Sequence, residues 1–159
     1  MRKSAIAGMV VVALAALIGT GALASGSTAT GSATDTRGTL HVIEHAVTDR
    51  VHDVGKKGDS AGDLLTFHNP VFGPLNRTQV GHDQGSCIRI APGEGTWECA
   101  WTTLTKDGHI TTEGPFNDNH DTVVSITGGT GSWRNIRGTM LLKSGAGGTQ
   151  FDFIFRWIT

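Results

Sequence analysis

The sequence predicts an all-β fold, an eight-stranded antiparallel β-barrel preceded by a signal peptide and a disordered linker. Three observations carry this. After residue 37 helical periodicity is weak, whereas short β-branched and aromatic runs recur about every dozen residues between Gly, Pro, Asn and Asp clusters. The last run alternates so that Phe151, Phe153, Phe155 and Trp157 share one face, which is an inner face. Two turn signals, around Gly93 and at Asp107-Gly108, join neighbouring strands as hairpins.

The N-terminus reads as a secretory signal peptide over residues 1–24, with a basic start (Arg2, Lys3), an apolar run from Ala5 to Ile18 and a small-residue exit at Ala22-Leu23-Ala24. The run is short for a membrane span; an uncleaved anchor helix is the alternative, and no later stretch is long and apolar enough to be a second span. Cleavage takes Lys and Arg from 13 to 11 against 14 Asp and Glu, a formal charge of −3. A mildly acidic, secreted protein argues against nucleic acid or anionic lipid as partner. Residues 25–37 open with SGSTATGSATDT, too poor in apolar side chains to offset the entropy of ordering them, and form the linker. Residues 38–159 have the length of one domain with its own core.

Within that domain, strands are expected over 39–47, 63–68, 77–82, 86–90, 96–105, 109–115, 122–127, 133–142 and 150–158. The third and fourth segments can be one bent strand, which gives eight, enough to close a small barrel. A two-residue turn at Asp107-Gly108 sets Lys106 against His109, Thr103 against Thr112 and Trp101 against Gly114. A turn centred on Gly93 sets Cys87 opposite Cys99 and Arg89 opposite Trp97. Alternation then places Cys87, Arg89, Trp97, Cys99 and Trp101 on one face and Ile88, Ile90, Glu98, Ala100 and Thr102 on the other. Glu98 and Glu113 mark the second face as exterior.

Opposed cysteines in an exported chain favour a Cys87–Cys99 disulfide over two free thiols. A free, buried Cys87 as a site residue is the competing reading. The aromatic face of the last strand is explained by core filling, and equally by a barrel that encloses a small apolar ligand.

Several segments in series resemble the allene oxide cyclases and, more loosely, the plant dirigent proteins, which share a calycin-like eight-stranded barrel. They are Leu40-His41-Val42-Ile43-Glu44, Gly62-Asp63-Leu64-Leu65-Thr66-Phe67-His68-Asn69, Gly81 through Gly85 to Cys87, Asp107-Gly108-His109-Ile110 to Gly114-Pro115, and Ile126-Thr127-Gly128-Gly129-Thr130-Gly131. The resemblance implies an interior that binds a hydrophobic, reactive intermediate and confines it to one cyclised shape. It marks Glu44, Asn69 and Cys87 as the catalytic positions; a carboxylate in an apolar barrel stabilises developing positive charge and has its pKa raised by desolvation. On the residues alone Glu44 is either interior or a rim carboxylate. The chain departs from the cyclases at Ala46, where they carry asparagine, and in having no tyrosine. A disulfide would also leave Cys87 without its thiol. Related barrels form dimers or trimers, so a homo-oligomer is open.

The seven histidines do not make a metal site: His41 and His45 share a face, but four residues along a strand separate them by about 13 Å. Gly128-Gly129-Thr130-Gly131 lacks the lysine and following helix of a phosphate loop and reads as a turn. No serine lies in a nucleophile elbow, no cofactor is implied, and Asn76-Arg77-Thr78 is a glycosylation sequon. Two readings follow. One is a secreted cyclase or isomerase with Glu44 as its polar group and Trp97, Trp101, Phe153 and Phe155 as ligand-binding walls. The other is a non-catalytic barrel that binds a small hydrophobic molecule or a partner surface.

Overall fold

The computed structural model describes residues 35–159; the expected signal peptide and the expected linker up to residue 34 lie outside the described residues. Nine strands form one antiparallel sheet: β1 (Arg37–His45), β2 (Arg50–His52), β3 (Leu64–Phe72), β4 (Gln79–Ala91), β5 (Thr96–Thr105), β6 (Gly108–Asn117), β7 (Thr122–Gly129), β8 (Arg137–Gly145) and β9 (Gln150–Ile158). Eight of them run in the order β1-β9-β8-β7-β6-β5-β4-β3, and the pairing of β1 with β3 through Glu44 and Val71 closes the barrel. The ninth, β2, is a three-residue strand on the free part of the β3 edge, too short to leave a sequence pattern.

The interior follows from alternation. Val42, Val71, Cys87, Trp97, Cys99, Trp101, Val124, Met140, Phe153 and Phe155 are buried, whereas Ile88 and Ile90 point outward and are about half exposed. The cysteine and tryptophan face is therefore the inner wall. Cys87 lies opposite Cys99 and Arg89 opposite Trp97, as the turn around Gly93 dictates, and the cysteines form a disulfide. The bridge closes a short loop and adds about 3 kcal/mol in the chain-entropy account.

Four expectations are corrected. The β5–β6 turn is at Lys106-Asp107, so Trp101 pairs with Thr112, Thr103 with Ile110, and Gly114 faces Cys99. The left-handed φ of 134° falls on Gly108, the first residue of β6, and on no residue of the turn itself. Trp101 still lies over a glycine, but on its other side: Gly85 of β4. The strand expected to stop before Pro70 continues to Phe72, because β2 leaves the β3 edge at Thr66 and β1 joins it only at Val71, and an unpaired edge tolerates a proline. The strand expected from Trp133 starts at Arg137; Gly131–Trp133 forms a 3-10 turn, and the positive φ of Asn135 delays the strand. The linker ends before residue 37, since Arg37 already pairs with Ile158.

A Cβ on Gly85 would collide with Trp101 and the Ala100 carbonyl, neither of which can yield. Gly85→Ala is expected to cost about 2 kcal/mol or more, against about 0.5 or less for Gly93→Ala, which meets nothing within 4 Å, both read by urea denaturation. Reduction of the disulfide should lower stability by about 3 kcal/mol in the same assay, with both cysteines resistant to alkylation until reduced.

Candidate functional site

Two clusters of buried charge interrupt the barrel interior, one around Arg89 and one of carboxyl groups around Asn69. To the second, β1 contributes Glu44, β3 Asn69 and β4 Asp83, the last two directly opposed across the sheet. Glu44 is 5% exposed, and Asn69 and Asp83 are fully buried. Asp49, in the connection from β1 to β2, is exposed and reaches the same group.

Asn69 organises the cluster. Its Oδ1 accepts from the backbone N–H of Val47 (3.1 Å) and Thr48 (2.9 Å) and from the Thr48 hydroxyl (2.9 Å). Its Nδ2 donates to Glu44 Oε1 (2.5 Å) and to Asp49 Oδ1 (2.6 Å). This fixes the amide's orientation, because three donors and two carboxylates could not be served the other way round.

The two amide hydrogens go to Glu44 and Asp49, and Asp83 receives neither: both of its oxygens lack a hydrogen-bond partner. It faces Glu44. With both ionised the contact is repulsive; with one proton between them it becomes a hydrogen bond. Burial accordingly pushes the Glu44 carboxyl up to about 7, opposed by the Asn69 hydrogen bond and reinforced by Asp49. Burial, then the charges of Glu44 and Asp49, push Asp83 up to about 9. The two titrate as a pair, and around neutral pH they hold at least one proton between them.

Glu44 and Asp49 line a pocket that opens to solvent. Its walls are Trp101, Phe153, Leu142 and the Cys87–Cys99 bridge, and half-buried Leu65, Phe67, Phe116 and Phe151 stand around it. Trp101 and Phe153 are tilted rings with centroids 5.9 Å apart, and Phe116 meets Phe151 edge-on at 5.9 Å. Asp83 does not line the pocket; it backs Glu44.

The structure thus brings Glu44, Cys87, Trp101 and Phe153 to one pocket, with Asn69 behind Glu44 and bonded to it. Cys87 is oxidised and presents no thiol. Trp97 and Phe155 do not line the pocket. Phe155 is fully buried in the core. Trp97 lies beneath the Arg89 guanidinium, 4.6 Å from its ring centroid, and donates from Nε1 to Asp118 (2.9 Å). Arg89 is buried and bidentate to Asp59 (2.8 and 2.7 Å), with a further bond to Asp118 (2.5 Å), which raises its pKa and keeps it charged. Asp63 beside it is held below the usual carboxylate range by the backbone N–H of Val54 and Ser60.

No family model matches the chain. Among solved structures it is similar to a pterocarpan synthase dirigent protein (19% identity, 88% of this chain and 98% of that one, TM-score 0.67). It is also similar to a pyocyanin demethylase (24%, 74% and 99%, 0.63). A third is an exo-specific intermolecular Diels–Alderase (12%, 79% and 99%, 0.63). The fold is the dirigent-like eight-stranded barrel.

A carboxyl with a raised folded pKa stabilises the fold while protonated and withdraws that contribution as pH climbs through the folded value. The contribution of the Glu44/Asp83 pair is full below about pH 4 and is lost between there and about pH 9. Tm should fall by about 10 °C over that interval in differential scanning fluorimetry, and Asp83→Asn should flatten the profile.

Proposed function

We propose that this protein is exported, binds a small hydrophobic molecule inside its barrel, and steers the cyclisation or isomerisation of a reactive form of that molecule. The observation that carries the reading is the placement of a half-ionised buried carboxyl pair at the wall of an aromatic pocket. Aromatic walls confine shape, while the carboxyl pair supplies the only charge that can move. Glu44, at about 7, can give or take a proton near neutral pH or stabilise positive charge that develops along the reaction, and low dielectric strengthens that attraction. Asn69 acts as a positioning residue, holding Glu44 through a 2.5 Å bond.

Two further observations support the reading. Barrels of this fold include a protein named as a Diels–Alderase and one named as a pterocarpan synthase dirigent protein. The disulfide fits an oxidising compartment, in keeping with the signal-peptide character of residues 1–24.

The test is a panel of conjugated hydrophobic substrates incubated with the protein and with Glu44→Gln, followed by chiral product analysis. Glu44→Gln should lower kcat by about 100-fold or more. Asn69→Ala should lower kcat and shift the pH optimum upward, because it removes the bond that favours the charged form of Glu44. Tight binding with no turnover anywhere in the panel would leave a non-catalytic ligand carrier.

A further inference from the structure

We propose that the molecule held in this pocket is a flat hydrophobic compound bearing a basic or permanently cationic nitrogen, placed with that nitrogen toward Glu44 and Asp49. The inference rests on the reading of the pocket as a ligand site and names the class of ligand.

The first argument is an inventory of charge. Glu44 and Asp49 line the pocket, Asp83 stands behind Glu44, and no Lys, Arg or His lines it. The buried cation closest in sequence to the wall, Arg89, is consumed by Asp59 and Asp118. The second argument is an inventory of donors. Both amide hydrogens of Asn69 are used on Glu44 and Asp49, and Asp83 has none. The polar end of the pocket therefore offers acceptors without a matching donor, and a ligand that supplies an N–H or a positive charge completes it.

The third argument is independent of the carboxyl groups. Trp101 lines the pocket and is buried, and its indole N–H has no partner. Planar aromatic walls of this kind suit a flat ring better than a plain lipid chain. Aromatic faces also attract cations, and Trp101, Phe153, Phe116 and Phe151 present four of them.

The groups facing Glu44 are Asn69 from β3, Asp83 from β4 and Asp49 from the β1–β2 connection; those facing Asp83 are Glu44 and Asp49. All the titratable ones are acids. A cation must therefore expel a proton from the pair as it binds, and a neutral molecule need not.

The experiment is calorimetric titration with N-methylquinolinium and with 1-methylnaphthalene, its uncharged counterpart of similar shape. The cation's affinity should rise about tenfold or more between about pH 5.5 and pH 8.5, with proton release seen as a dependence on buffer ionisation heat. The hydrocarbon should vary by less than about twofold over the same range. Glu44→Gln should weaken the cation about tenfold, Asp83→Asn should flatten the pH dependence of its binding, and both should spare the hydrocarbon, whose binding also shows that the variants fold. Equal, pH-independent binding of both probes overturns the charge assignment and leaves the apolar pocket standing. Cation binding untouched by either substitution places the cation elsewhere and likewise overturns it. Binding of neither probe removes the ligand-site reading and this inference with it.

Discussion

Everything in the candidate site hangs on the side chain of Asn69. It is fully buried on β3 and hydrogen-bonded on both of its ends. One end ties down the backbone at Val47 and Thr48 where the chain leaves β1, and the other reaches Glu44 and Asp49. Those are separate tasks for one amide: it anchors a connection that would otherwise carry unpaired N–H groups, and it holds two carboxyl groups toward one pocket. The Thr48 hydroxyl extends the tie by accepting from the His68 backbone N–H at 2.7 Å, so the connection is stitched to β3 at two successive residues.

The barrel handles buried charge in two opposite ways. Around Trp97, Arg89 meets two aspartates in short, directional bonds, and each carboxylate has the cation as its partner. Removal of one partner there would strand the others, so the arrangement fixes structure. Around Asn69 nothing cancels the charge. The two amide hydrogens go to Glu44 and Asp49 and leave Asp83 with none, and the remaining repulsion is relieved by retaining a proton. Retention of a strained acid pair beside an otherwise apolar pocket is what distinguishes a site from a core.

Much of this was legible before any coordinates. Strand alternation alone separates Cys87, Trp97, Cys99 and Trp101 from Ile88, Ile90 and Glu98, because one face must be dry. The turn around Gly93 sets the cysteine pairing. Glu44 inside the barrel came from family resemblance, since one carboxylate in an apolar strand is compatible with either face. Asp83 was missed although the signal existed: it shares the parity of Gly85, Cys87 and Arg89. Reading β4 as two segments broken between residues 82 and 86 hid that parity, and the structure shows a single strand over Gln79–Ala91. Asp49 was not legible at all, because its position depends on a bond to Asn69 from a connection without periodicity. Trp97 misled for a related reason: parity places a ring inside the barrel but does not say whether it meets the cavity or a guanidinium.

The disulfide narrows the chemistry further. Its two sulfurs form part of the pocket wall at the position where the cyclase resemblance expects a thiol. With that thiol gone, the lining holds no Ser, Thr, Lys, His or Tyr, and the carboxyl groups of Glu44 and Asp49 are its only reactive side chains. A wall with no amine, hydroxyl or thiol cannot run the common covalent mechanisms of acyl or Schiff-base chemistry. What it can do is exclude water, restrict shape, and stabilise or exchange a proton through Glu44. Those are the demands of a reaction whose substrate is already reactive and needs only to be held in one geometry, and they are also the demands of selective binding to a cation. Both outcomes follow from one physical fact: the pocket concentrates acceptors at a single point of an otherwise apolar surface.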